Sequence, residues 1–344
     1  MLKPLVLYGL STGINRGAGL LFLPLLTATY SIEEYGLYML SLATAQVLVP
    51  ILTLNGGGAI VREGLERPED GRKLLWMFLG IALAAGGLAA GPVAMLDRTA
   101  HRWLTYAVVL GAIESAHELL LQFVRSRERP WAYLGFVTAK TAGLLGAALM
   151  ARTQAWPLER LLAAQSAWYG GLTLFPLFLA ARRRPGGGGI RFLDVFGYSV
   201  AAVPHTLAHG VMSNGSRWII KALAGDAALG LYSVGYTLAQ FLMLLNSGLS
   251  LALTPEVFKN YERWTAGTLR GRAIRRYTAT AVLVVVAVLA GIEIDRRAFG
   301  LIGHYDPRLF VVTALVGMGF YFIGIYQFFT HYLFYLKRTG VLSV

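Results

Sequence analysis

The chain has 344 residues, 56% of them hydrophobic and 14% charged, well below the ~25% charged share of an average soluble domain, which excludes an ordinary globular enzyme or binding module. A formal charge of +13 would suggest nucleic acid as the partner of a soluble protein, but the basic residues form short bands between apolar runs, so nucleic acid is excluded as well. The absence of cysteine removes disulfides, thiolate chemistry and Cys-ligated metal from consideration.

What remains is an all-α integral membrane protein. A bilayer core of ~30 Å takes about 20 apolar residues per helix, and backbone groups cannot stay unpaired in lipid, so helices are the open-chain solution. The apolar runs predict ten transmembrane helices, over residues 5–29, 36–60, 74–96, 103–124, 131–151, 160–181, 194–223, 228–253, 276–294 and 309–335. The first run holds Asn15 and Arg16 and no small-x-small cleavage site follows it, so it is a retained span rather than a signal peptide. Along it, Tyr8, Thr12 and Arg16 recur at spacing four, one face of a helix. The fourth span carries Glu114, Glu118 and Gln122 at the same spacing, with His117 beside them, and the fifth carries Lys140 between Thr138 and Thr141. After the sixth comes a basic, glycine-rich link, Arg182-Arg183-Arg184-Pro185 followed by four glycines, of the composition of a flexible linker. The seventh span contains Pro204, which disturbs the turn before it, and carries His205, His209, Ser213, Arg217 and Lys221 on one stripe, Asn214 adjoining.

Orientation follows from the Lys/Arg bias of the links. With the N-terminus in the cytoplasm, the inner segments hold 20 Lys/Arg and the outer ones 7 (Arg98, Arg102, Arg152, Arg160, Arg296, Arg297 and Arg308). Both termini are therefore expected to be cytoplasmic. Two segments also repeat: Tyr35-Gly36-Leu37-Tyr38 and Leu229-Gly230-Leu231-Tyr232, with Ala45-Gln46 and Ala239-Gln240 at the same offset. An even number of spans precedes the second copy, so the repeat is parallel, about an axis along the membrane normal. The expected organisation is an N-terminal six-helix lobe over 1–181, a linker over 182–193 and a C-terminal four-helix lobe over 194–344. Duplication would give the second lobe six helices, so its last two are expected to be lacking beyond Lys337-Arg338.

The stretch Leu23-Pro24-Leu25-Leu26-Thr27 running into Glu33-Glu34-Tyr35-Gly36-Leu37-Tyr38 resembles the first helix pair of bacterial polysaccharide transporters. These are the O-antigen-type flippases of lipid-linked oligosaccharides, in the superfamily shared with multidrug and toxin extruders and lipid II flippases. Tyr198 to Pro204-His205, Ser216-Arg217-Trp218-Ile219-Ile220, Gly230-Leu231-Tyr232-Ser233, Thr254-Pro255-Glu256 and Phe258-Lys259 are similar to that family's seventh and eighth helices. Two features depart from the pattern: Ser216 stands where an acidic residue is common, and ten spans stand where twelve or more are usual. The resemblance implies two lobes around a central cavity, alternating access, no catalysis, and the cytoplasmic membrane of a bacterium or archaeon as location. Its expected partners are an anionic lipid-linked glycan, membrane lipids and polysaccharide-assembly enzymes.

A charge at mid-membrane carries an insertion penalty of about 2.5–3.5 kcal/mol, so each one calls for a role. In the transport reading Arg16, Lys140, Arg217 and Lys221 hold the pyrophosphate of a polyprenyl-linked sugar, arginine bidentately. Tyr8, Thr12, Asn15, His205, His209, Ser213 and Asn214 line a polar cavity around the glycan. Glu114, Glu118 and His117 carry protons or bind a coupling sodium ion, with no other cofactor and no metal centre. The structural alternatives stay open: Arg217 and Lys221 snorkelling to the interface, Lys140 partnering Glu114, Glu118 paired with a helix-end arginine, and the histidines bonding backbone freed by Pro204. Three other functions compete. A drug exporter would want an acidic cavity, whereas four cations face two carboxylates here. A glycan polymerase or ligase would draw on the outer loop 295–308, with Asp295, Arg296, Arg297, His304, Asp306 and Arg308. A truncated, non-transporting paralogue is the third.

Overall fold

The computed structural model describes residues 2–181, 190–265, 267–302 and 306–335. The Arg182–Gly189 link, His304 and Lys337-Arg338 lie outside the described residues, as does the side chain of Arg16. The described residues form helices and no strand: α1 Leu2–Thr27, α2 Ile32–Leu52, α3 Gly57–Glu66, α4 Pro68–Leu96, α5 Trp103–Ser126, α6 Pro130–Gln154, α7 Leu158–Ala181, α8 Phe192–Ala201, α9 Val203–Lys259, α10 Tyr261–Thr265, α11 Thr268–Ile294 and α12 Arg308–Tyr335. Seven helices among the residues searched are long and apolar enough to cross a membrane. The exterior is apolar, with Leu88, Met95, Met212 and Leu223 each more than three-quarters exposed, a surface suited to lipid rather than water. The protein is an all-α integral membrane protein, and a helix stands over each of the ten expected spans.

The boundaries have local causes. Ser31 opens α2 with a capping box: its Oγ accepts the Glu34 backbone N–H at 3.2 Å, and a Glu34 carboxylate oxygen accepts the Ser31 N–H at 2.9 Å. Pro68 and Pro130 open α4 and α6 at the first helical position, where their missing N–H is no loss. The span expected over 36–60 is broken instead. Leu54 (φ 48°) and Asn55 (φ 54°) are left-handed, which ends α2 and starts the short α3. The turn expected around 224–227 shrinks to one residue: α9 runs through except at Gly225 (φ 82°, ψ −176°), a conformation that favours glycine. Within the membrane helices several hydroxyls bond backward to their own turns, as Ser11 to the Leu7 carbonyl (2.8 Å) and Ser41 to Leu37 (3.0 Å), which keeps these O–H groups paired away from water.

The chain divides into two compact units, one of 1–15 and 29–230, the other of 16–28 and 231–344. The divisions fall within α1, just after its end and within α9. In the first unit, Asp70 accepts the Ile190 N–H at 3.2 Å and Lys73 Nζ donates to the Ile190 carbonyl at 2.6 Å. These bonds carry α8 onto α3 and α4, where Val195 joins a core of Leu52, Ile60, Leu74, Phe78, Leu119 and Val124. The first part of α9 stays in that unit through Trp218, whose Nε1 donates to Thr44 Oγ1 at 2.9 Å. The two repeated glycines meet there as well. A Cβ on Gly36 would lie 2.7 Å from the Gly230 nitrogen, and one on Gly230 would lie 1.9 Å from the Ile32 carbonyl oxygen. The second unit is held by Leu242, Val257, Trp264, Tyr277, Phe320 and Phe328. At its centre Asn246 Nδ2 donates to the Phe320 carbonyl (2.8 Å), while the Tyr277 hydroxyl lies 2.9 Å from Asn246 Oδ1 and 3.2 Å from the Tyr321 carbonyl.

Candidate functional site

Three helices of the first unit, α5, α6 and α7, bring ionisable groups together inside the membrane region. Glu114 and His117 are three apart on α5 and share a face. Lys140 reaches them from α6, its Nζ 3.7 Å from Glu114 Oε1 and 4.4 Å from the centroid of the Tyr169 ring. Tyr169 belongs to α7 and is buried. His117, only 2% exposed, packs against Tyr169 with ring centroids 4.8 Å apart at 66° and places Nδ1 3.0 Å from Thr173 Oγ1. Its Nε2 has no hydrogen-bond partner among the described residues. One turn along α5, Glu118 accepts a hydrogen bond from Gln122 at 2.6 Å; the helix-end arginine expected as its partner is not what holds it. Gln165, Tyr169 and Thr173 recur at spacing four on α7, and Gln165 accepts from the Tyr38 hydroxyl at 3.1 Å. That stripe is the signal by which the sixth span could have been recognised as part of the cluster.

The remaining expected residues are dispersed. On α9, His205 and His209 are exposed, Ser213 is half-buried, and Arg217 is 2% exposed. Arg217 Nη1 donates to Asn214 Oδ1 at 3.2 Å, and Asn214 Nδ2 donates to the Gly210 carbonyl at 3.2 Å. Burial of Arg217 is at odds with snorkelling. Beside Pro204, the Thr206 hydroxyl lies 3.1 Å from both the Ala202 and Val203 carbonyls. Lys221 pairs with Asp226 across the Gly225 break and lies 5.9 Å from the Trp103 ring centroid. On α1, Tyr8 packs edge-on against Tyr133 with centroids 5.2 Å apart, Thr12 bonds back to the Tyr8 carbonyl at 2.9 Å, and Asn15 is exposed. Arg16, expected as a deep cation, lies at the boundary where the chain passes to the second unit.

Outside the spans, the loop considered for catalysis is occupied with its own closure. Asp295 accepts the backbone N–H groups of Leu301 and Ile302 at 2.9 Å each. Asp306 accepts three hydrogen bonds from the Arg308 guanidinium and one from its backbone N–H, which holds its carboxyl below the usual carboxylate range. A second link binds three helix starts in the first unit: His101 Nδ1 is 2.7 Å from Glu159 Oε1 on α7, and its Nε2 is 3.9 Å from Glu34 Oε1 on α2. Burial works to raise the Glu159 carboxyl, but hydrogen bonds from its own backbone N–H and from His101 outweigh it and leave the group below its ordinary value. Among the described residues no group of three His, Asp or Glu side chains is placed to hold a metal ion.

No family model matches the sequence, and no curated protein matches it. Among solved structures, the chain is similar to a multidrug resistance MATE family transporter of the MOP superfamily in an inward-facing conformation. The TM-score is 0.65 at 13% identity, over 95% of this chain and 84% of that one. At that identity the likeness establishes a shared fold.

Proposed function

We propose that the protein is an exporter working by alternating access, and that its cargo is an anionic lipid-linked oligosaccharide. The fold likeness to a transporter supports the first part. The observation that carries the second is the state of the in-membrane carboxylates. Glu114 is engaged by Lys140 and Glu118 by Gln122, which leaves a cationic drug little acidic surface, while α9 brings in a buried arginine, Arg217, whose Nη1 donates to the Asn214 amide. A buried guanidinium is the side chain best matched to phosphate oxygens. Under this reading Arg217 contacts the cargo's pyrophosphate and no covalent step occurs.

The test is a host strain lacking the protein, scored for surface polysaccharide and for drug susceptibility. The expected result is loss of surface glycan, restored by the wild-type chain and not by Arg217→Ala at equal membrane abundance. Arg217→Lys restores it partly, since a point charge replaces a two-pronged donor. Unchanged glycan together with hypersensitivity to cationic drugs would establish the second reading, a multidrug exporter, which the description of the structural neighbour favours.

A further inference from the structure

The Lys140–Glu114 contact is not built like a tight salt bridge. Charge-assisted N–H···O bonds run about 2.7–2.9 Å, whereas here Nζ stands 3.7 Å from the nearer carboxylate oxygen. The ammonium is instead shared between that oxygen and the face of the buried Tyr169 ring, 4.4 Å from its centroid, within the reach of a cation–π contact. A carboxylate on one side and an aromatic face on the other form a surrounding that would suit any small monovalent cation. Both side chains are largely enclosed, Lys140 16% and Glu114 25% exposed, in a region where an uncompensated carboxylate is strongly disfavoured. His117 on the same face adds a buried nitrogen with no hydrogen-bond partner among the described residues.

We propose that Lys140 is a tethered stand-in for a bound alkali-metal cation. Its ammonium holds the place beside Glu114 and Tyr169 that a free ion would take, so the native chain binds no sodium or potassium ion there, and removal of the ammonium uncovers a cation site. A purely structural pair has a different consequence. Its loss weakens the protein to the same extent whatever cation is in solution, because nothing is left to be filled. The inference rests on the geometry of the first unit alone and stands or falls separately from the identity of the cargo.

The experiment is thermal unfolding of the 344-residue chain in detergent, in sodium, potassium and choline chloride at equal ionic strength, choline being the bulky organic cation of the three. The wild-type midpoint is expected to be the same in all three salts. Lys140→Ala is expected to unfold at a lower temperature in choline and to recover by about 2–4 °C in sodium or potassium at a concentration tenfold above the dissociation constant. Glu114→Gln combined with Lys140→Ala removes the recovery. Lys140→Met, which keeps the apolar stem, serves if the alanine variant does not fold. A wild-type midpoint that rises with sodium or potassium and loses that response in Glu114→Gln would overturn the inference. So would folded Lys140 variants indifferent to the salt.

Discussion

At the scale of single residues, chemistry and position part company. Lys140 and Glu114 carry the charges that composition assigns to them, but their pairing depends on α5 and α6 lying side by side, and Tyr169 and Thr173 enter from a third helix. Asp97 is a second instance. It is 8% exposed and accepts the Thr99 N–H at 3.0 Å and, through its other oxygen, the Thr105 N–H and hydroxyl at 2.7 Å each. Burial works to raise its carboxyl, but these hydrogen bonds outweigh it and the group titrates below its ordinary value. A lowered folded value means that the contribution is complete above the unfolded value, near about 4, and disappears as the pH falls through the folded one. Asp97→Asn should therefore lower the unfolding midpoint at neutral pH, and the gap to wild type should close as the pH falls below about 4, as read by thermal scans across pH. Glycine supplies the sharpest steric case. Gly230→Ala would place a methyl group 1.9 Å from the Ile32 carbonyl oxygen. With backbone on both sides it should destabilise by about 1–3 kcal/mol, the range of overpacking, more than Gly36→Ala; monodispersity in detergent and the unfolding midpoint of both variants check the order.

At the scale of elements, the helices are written locally and their interruptions are not. The Ser31–Glu34 capping box, the N-terminal prolines of α4 and α6 and the length of the apolar runs put ten spans within reach of the sequence. The left-handed pair Leu54-Asn55 breaks a run that reads as continuous, because two residues can leave the helical region without any change in hydrophobicity. In the opposite sense, Gly225 alone separates two spans where a loop was expected. The stripe on α9 shows a further limit. Spacing four puts five polar residues on one face, but burial differs along it, from exposed His205 and His209 to buried Arg217, since neighbours cover only part of its length. The polar lock of α9, α11 and α12 in the second unit carries no charge, and asparagine and tyrosine are unremarkable in sequence. Tyr277→Phe should cost about 1–3 kcal/mol, because it leaves the buried Asn246 Oδ1 without its donor. Asn246→Leu combined with Tyr277→Phe should cost less than the sum of the two single changes, measured as a double-mutant cycle on thermal midpoints.

At the scale of the whole molecule, the likeness to a MATE family transporter establishes the fold, and export of an anionic cargo is the proposal built on it. The strain assay with Arg217→Ala tests the cargo and the salt-dependent unfolding of Lys140→Ala tests the place of the ammonium beside Glu114, so one can fail without the other. By itself the amino-acid sequence determined that the chain is helical, that it lives in lipid, about where its helices run, and which charges they carry into the membrane. These follow from hydrophobicity and the need to pair every backbone group, and both act over a turn or a span. Only the tertiary structure decided that residues 16–28 group with 231–344 rather than with their chain neighbours, that Ile190 is clamped by Asp70 and Lys73 onto the first unit, and that Lys140 rests between Glu114 and Tyr169. In lipid the hydrophobic pattern ceases to say which face of a helix meets a neighbour, since bilayer and protein interior are equally apolar. Partners are then chosen by close backbone contact and a few polar bonds between residues far apart in the chain.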